Sequence, residues 1–422
     1  MTAGFCATVS ARSRRARPAL ALTAIATATA IACMAVAGVP ERAHAAIAAP
    51  PPLQQALDKL VADGVPGAIA LERNRGEELR AASGVSDLTT KERISARGRF
   101  RIGSITKGYV STVVLQLVGE GRLTLDDTVE RWLPGLVPNG AGITVRQLMN
   151  HTSGLYNYTD VPFYLALLRD PLKTWRPLQL VHLAVAHPPD FAPGASWKYS
   201  NTNYILLGLI VAAVDGVSQP LDMAAPAFEV YRRIVAPRGL WHTRFPLTDP
   251  DIHGPHPHGY VIDLPPEFGF PPVLDMTRFD PSWAWTAGAI VSTLDDVADF
   301  HRALFTGELL GPEQQRELET TVAAGDGVDY GLGVFKLDTP CGTAWGHDGG
   351  TPAGVSISLT SPDGSRQAVM MLTREANTWT PQIGEDYGTA VMTAFCGEPV
   401  AASAARPLAT ALASHLRAEL VR

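Results

Sequence analysis

Residues 101–121 read RIGSITKGYVSTVVLQLVGEG, and within them the chain changes period. An alternating stretch ends at Ser104, after which Ile105, Val110, Val113, Val114, Leu117 and Val118 recur at helical spacing until Gly119 and Gly121. The pattern predicts a long helix with Ser104 at its N-cap. Ser104 and Lys107 stand at i and i+3, so a hydroxyl and an amine share one helix face. A serine hydroxyl is a weak nucleophile until a neighbour takes its proton, and a neutral lysine can do so. Burial or nearby positive charge favours that neutral form. Taken alone, S-x-x-K is short enough to recur by chance, and reads equally as a capping serine beside a solvated lysine.

Upstream of this stretch, Leu53, Leu57, Leu60 and Val61 predict a helix ending at Gly64, and the runs 66–72 and 78–85 flank Asn74, Arg75 and Gly76 as a β-hairpin. Downstream, about 122–320 carries helical patterns at 145–150, 177–186, 203–214 and 294–305, separated by proline-rich loops. The segment 245–282, dense in Pro, His and Asp, reads as an irregular excursion over the surface or across a cleft. Strand signals return in YGLGVFKL (330–337), AWGHDGG (344–350), VSISLT (355–360) and QAVMML (367–372). Both ends of the chain are thus expected to build one sheet. The fold class is α/β, a mainly antiparallel sheet flanked by helices, with a large mostly helical insertion. The expected division is 53–121 with 322–398 as a discontinuous sheet domain, 122–321 as the helical domain, and 399–422 as a tail.

The first 45 residues read as an export signal: Arg12, Arg14, Arg15 and Arg17, an apolar run from Ala19 to Gly38, then Ala43-His44-Ala45 as a cleavage pattern. An uncleaved anchor and a lipoprotein modified at Cys33 are the alternatives, and Arg14-Arg15 permits a twin-arginine route. Cleavage near Ala45 predicts a secreted or extracytoplasmic protein without stable membrane insertion. It removes five Arg and one Glu, leaving 30 basic and 40 acidic residues and a net charge of −10. No basic patch marks nucleic acid as a partner. Cys341 and Cys396 remain, and in an oxidising compartment they are expected to pair; two buried thiols are the alternative.

Two further stretches carry polar chemistry. In PGASWKYSNTNYILLG (193–208), Tyr199 and Asn201 sit in a polar loop before an apolar helix. Tyr199 is a candidate second proton carrier, and Asn201 an amide able to fix a carbonyl and the lysine. In AWGHDGGTPAG (344–354), a strand runs into a glycine-rich turn. His347 is placed at the strand end, and Gly349 and Gly350 allow a ligand to approach the backbone. Ser153, in a loop after a helix, reads as cleft wall. His253, His256 and His258 lie in a proline-rich loop without the strand or cysteine context of a metal site. No G-x-S-x-G elbow is present.

In this order, Ser-x-x-Lys, Tyr-x-Asn and a basic residue-x-Gly resemble the serine β-lactamase and D-alanyl-D-alanine carboxypeptidase family, with class C β-lactamases and related esterases. FRIGSITK, LMNHTSGL (148–155), YSNTNYILLG and YGLGV carry the resemblance across most of the mature chain. It implies Ser104 as the acylated nucleophile, Lys107 as its proton acceptor and Tyr199 as the proton carrier. It further implies His347 as the source of a positive field and Asn201, Asp348, Gly349 and Gly350 as substrate-binding positions, with no metal or organic cofactor. Where the family usually carries Thr or Ser, this chain has Asp348, whose charge would repel a substrate carboxylate unless it is paired or turned away. The expected activity is a D-alanyl-D-alanine carboxypeptidase acting on cell-wall peptides through an acyl-enzyme. A β-lactamase, esterase or D-amino-acid amidase is the alternative within the class, and a non-catalytic wall-binding protein lies outside it. The expected partner is a small peptide, β-lactam or ester substrate.

Overall fold

The computed structural model describes residues 50–216, 223–325, 327–401, 403 and 405. The expected signal segment and most of the tail lie outside the described residues. Twelve strands follow in chain order: β1 Gly67–Asn74, β2 Glu77–Gly84, β3 Phe100–Arg101, β4 Tyr260–Ile262, β5 Val273–Asp275, β6 Val291–Ser292, β7 Val322–Gly325, β8 Val328–Tyr330, β9 Phe335–Thr339, β10 Gly342–Thr351, β11 Gly354–Thr360 and β12 Arg366–Leu372. Eight of them form one antiparallel sheet in the order β2-β1-β12-β11-β10-β9-β8-β7. β1 and β12 pair from Ala68↔Leu372 to Asn74↔Arg366, so strands from the two chain ends lie side by side one strand in from the β2 edge, as the strand signals at both ends predict.

Side-chain alternation assigns the two faces. On β12, Ala368, Met370 and Leu372 join a core with the helices Pro52–Ala62 and Pro381–Cys396, while Val369 and Met371 join the other core with the helices Thr106–Gly119 and Leu294–Phe305. β1 splits in the same way, with Ala68 and Ala70 on one side and Ile69 and Leu71 on the other. The helices Thr106–Gly119 and Asn201–Val214 are buried almost all round, which is why their apolar residues are not confined to one stripe.

Four local readings differ. Ser104 lies in a 3-10 turn, Gly103–Ile105, ahead of the helix that begins at Thr106, and its side chain does not cap that helix. YGLGVFKL is two strands joined by a turn, because Gly331 and Gly333 bend the chain between Tyr330 and Phe335. β10 does not end at its glycines: Gly349 and Gly350 pair with Ser356 and Val355, and the strand continues to Thr351. Asn201 is the first residue of its helix, with Ser200 before it.

The 245–282 excursion contains the β4–β5 ribbon and packs against the far end of β11 and β12. Tyr260 N–H donates to Thr373 O at 3.0 Å, and Glu375 N–H donates to Tyr260 O at 2.9 Å. Its histidines go to separate partners: His253 to Asp249, His256 to the Gly254 carbonyl and His258 to Asp275. Cys341 and Cys396 are joined as a disulfide with Cα atoms 5.7 Å apart, tying the β9–β10 turn to the last helix. Among the described residues, no helix is long and apolar enough to cross a membrane.

Candidate active site

Residues from three separate stretches converge beneath the Gly103–Ile105 turn. That turn lies directly on β10. A Cβ on Gly103 would come within 2.9 Å of Gly350 N, and one on Gly349 within 2.1 Å of Ile102 O. These two positions tolerate no side chain, and Ser356 Oγ–H secures the contact by donating to Ile102 O at 3.0 Å. Ser104 is therefore held against the Gly349–Gly350 backbone, which serine's own cap geometry would not have achieved.

Lys107 is wholly buried, and its Nζ lies 2.7 Å from Ser104 Oγ, 2.8 Å from Asn201 Oδ1 and 2.8 Å from Ala287 O. An amide oxygen and a backbone carbonyl can only accept, whereas a serine hydroxyl can also donate. A neutral amine in this cradle would give its two protons to Asn201 and Ala287 and turn its lone pair to Ser104. The orientation of Asn201 is set by its neighbours. Thr159 Oγ1–H donates to Asn157 Oδ1 at 3.0 Å, so Thr159 Oγ1 accepts from Asn201 Nδ2 at 3.0 Å, leaving Oδ1 to face the lysine. Asn157 Oδ1 also accepts from Asn201 N–H at 3.0 Å.

Tyr199 packs its ring 4.8 Å from Lys107 Nζ, and Tyr204 lies 5.3 Å from the same atom. Behind them, His151 sits 4.3 Å from Tyr199, and its Nδ1 accepts from Ser200 N–H at 3.2 Å. His347, also fully buried, lies 6.4 Å from Tyr199 between ring centroids. Its Nε2 is 2.8 Å from Tyr330 OH, and its Nδ1 is 2.6 Å from Asp348 O and 3.3 Å from Asp348 Oδ1. Asp348 is thus buried and paired with its neighbour. Ser153 donates to Asn203 Oδ1 at 2.7 Å and is buried, consistent with a wall position.

The family model described as Beta-lactamase matches residues 53–391. The chain belongs to the beta-lactamase family. It has the fold shared by β-lactamases and penicillin-binding proteins. Penicillin-binding protein 4* of Bacillus subtilis is 26% identical over 309 residues, covering 70% of this chain and 65% of that protein, so the match spans less than two thirds of that relative. Esterase EstB of Burkholderia gladioli is 29% identical over 327 residues, covering 68% of this chain and 79% of the esterase. Among solved structures, a D-stereospecific amidohydrolase from Streptomyces sp. superposes with a TM-score of 0.72 at 38% identity, covering 82% of this chain and 98% of that one.

Within this beta-lactamase-family chain, the sequence-predicted Ser104, Lys107 and Asn201 meet through direct contacts, Tyr199 stacks over them, and Gly349 and Gly350 form the opposing wall. Sequence reasoning missed Asn157, Thr159, His151, Tyr330 and the Ala287 carbonyl. Tyr330 was visible inside YGLGV. A backbone oxygen such as that of Ala287 has no sequence signal. A separate apolar cavity of 670 Å³, lined by Trp132, Leu136, Leu178 and Leu209, touches none of these groups. Polar convergence, and not cavity size, marks the site.

Proposed function

We propose that this protein is an acyl-enzyme hydrolase of D-aminoacyl amides and esters. The observation that carries the reading is the cradle of three oxygens around Lys107, two of them fixed acceptors on Asn201 and Ala287 and the third the Ser104 hydroxyl, a geometry suited to moving one proton. Ser104 Oγ attacks the acyl carbonyl as its proton passes to Lys107 Nζ. The backbone N–H groups of Ser104 and Gly350 stabilise the oxyanion. Tyr199 delivers a proton to the leaving amine or alcohol as the C–N or C–O bond breaks, and later assists the water that hydrolyses the acyl-enzyme. Asn201 holds the lysine and the substrate carbonyl.

The pairing of Asp348 with His347 supports neutral leaving groups over carboxylate-bearing ones, since any charge on the imidazole is balanced inside the protein. The likeness to a D-stereospecific amidohydrolase supports the same choice. D-alanyl-D-alanine carboxypeptidase activity is the second reading, favoured by the similarity to penicillin-binding protein 4*. The proposal keeps residues 1–45 as an export signal and the protein outside the cytoplasm. The test compares kcat/KM on D-alanine amide, a short-chain aryl ester, a D-Ala-D-Ala peptide and a chromogenic cephalosporin. Preference for the amide or ester is expected; a dominant rate on the D-Ala-D-Ala peptide would overturn this choice of substrate.

A further inference from the structure

His151 follows the short helix Val145–Met149, at the point where the chain leaves it. Thr152 N–H closes the helix end by donating to Gln147 O at 3.0 Å, and His151, just before it, has φ +62°. Glycine is the usual occupant of this position, because a Cβ there is crowded by the following carbonyl. A buried histidine stands here against local preference, and its contacts show what it contributes. Lys198 N–H donates to the His151 carbonyl at 3.1 Å, and Ser200 N–H donates to His151 Nδ1 at 3.2 Å. One residue therefore grips the backbone on both sides of Tyr199, and its ring lies 4.3 Å from the Tyr199 ring.

A backbone N–H can only donate, so His151 Nδ1 presents a lone pair to Ser200 and the ring proton sits on Nε2, whatever else the ring meets. A second contact agrees from another element. Leu155 N–H donates to Ser153 Oγ at 3.1 Å, and Ser153 O–H donates to Asn203 Oδ1 at 2.7 Å. This turns Asn203 Nδ2 toward His151 Nδ1 at 3.1 Å, as a donor to the same lone pair. The rings of Tyr330 and Tyr204, at 4.9 Å and 5.5 Å, stand around the imidazole.

We propose that His151 is a positioning residue that fixes Tyr199 over Lys107 by binding the N–H groups on either side of it, with Ser153 and Asn203 setting the imidazole tautomer. The inference rests on the acyl-transfer reading for its effect on catalysis. That effect depends on the leaving group. With an amide, Tyr199 O–H gives its proton to the leaving nitrogen as the C–N bond breaks, and the proton that Lys107 took from Ser104 replaces it. With an aryl ester, the weakly basic aryloxide departs as the C–O bond breaks and needs no proton at that moment. A displaced Tyr199 therefore costs more on the amide than on the ester, whereas a general loss of folded protein costs the same on both.

The experiment pairs a spectrum with a ratio of rates. Full-length protein labelled with ¹⁵N-histidine, its His151 signals assigned by their loss in His151→Asn, is expected to show Nδ1 unprotonated and Nε2 protonated. Kinetics compare D-alanine amide with D-alanine para-nitrophenyl ester through kcat/KM, which reports acylation for both. His151→Gly relieves the backbone and removes the ring; it is expected to lower kcat/KM about 10²-fold on the amide and less than about five-fold on the ester. His151→Asn tolerates the same φ and places Oδ1 where Nδ1 stood, so it should recover about ten-fold of the loss on the amide. An equal loss on both donors, a His151→Asn variant no better than His151→Gly, or an Nδ1–H ring in the unsubstituted protein would overturn the inference. The tautomer alone decides the matter should both variants fail to fold. The expected tautomer with no turnover of any acyl donor would instead strike the acyl-transfer reading and leave the His151 clamp standing.

Discussion

Lys107 and Glu375 are both ionisable, both wholly withdrawn from solvent, and differently surrounded. Lys107 meets three oxygens at 2.7–2.8 Å, each with a defined donor or acceptor part. Glu375 follows β12, and its Oε1 accepts from Asn377 N–H at 2.7 Å. Its Oε2, Tyr164 OH, Asn377 Nδ2, Thr378 Oγ1 and Arg374 Nε have no hydrogen-bond partner among the described residues. The tyrosine and the amide approach closely enough to act on the carboxyl electrostatically, yet not in bonding geometry. Burial therefore prevails over the pull of the Asn377 amide and Arg374, and pushes Glu375 up to about 7. Where a proton must move along one line, the surrounding groups are matched; where only stability is at stake, a partly matched carboxyl persists.

The sharpest way to test the first half is Ser104→Ala. It should lower kcat/KM on the best acyl donor by about 10⁴-fold or more while the melting temperature stays within a few degrees. Retained turnover would remove Ser104 from its proposed role. Lys107→Met should cost about 10²–10⁴-fold in the acylation rate. It also leaves Asn201 Oδ1 and Ala287 O without their donor, which should lower stability by about 1–3 kcal/mol in urea unfolding. An acylation rate within a few-fold of the unsubstituted enzyme would show that the proton goes elsewhere.

Glu375→Gln addresses the second half. The folded state binds the Glu375 proton more tightly than the unfolded chain, whose ordinary value is 4.5. Its stabilising contribution is fully present below that value and is lost as the pH rises to about 7. The loss should total roughly 3 kcal/mol, and the glutamine variant should flatten it in unfolding curves measured from pH 4.5 to 8. An unchanged pH profile would mean that Glu375 is charged and matched after all. Tyr164→Phe should have the smallest effect, within about 1 kcal/mol and in either direction, because its hydroxyl makes no hydrogen bond among the described residues. A loss above about 2 kcal/mol would instead place that hydroxyl on the Glu375 carboxyl.

Much of this was legible in the chain. The short apolar runs of β1 and β12 are continuous because both of their faces meet apolar cores, and the serine-lysine spacing announced a contact before any fold was known. Elements failed where tertiary contact overrode local preference. Gly349 and Gly350 read as a turn, yet both lie within β10, and at Gly349 the Ile102 carbonyl leaves no room for a side chain. Ser104 read as a cap, yet the chain is bent into a 3-10 turn by its contact with β10, and its hydroxyl faces Lys107. Asn157 and Thr159 carry no motif, because their part is to orient Asn201 from a loop 44 and 42 residues earlier. Glu375 was silent for the same reason: nothing in its neighbours reveals that the 245–282 excursion will bury it.

The bond between Cys341 and Cys396 encloses 55 residues of separation, including all of β10, β11 and β12. Under tension applied at the chain termini, that enclosed loop cannot extend, and the strand carrying Gly349 and Gly350 is mechanically shielded from the pull. In a force-extension measurement, the oxidised protein should release roughly 190 Å less contour length than the reduced one. The half of the site contributed by β10 would then come apart only by shearing away from the half contributed by the helices, never by being drawn out residue by residue.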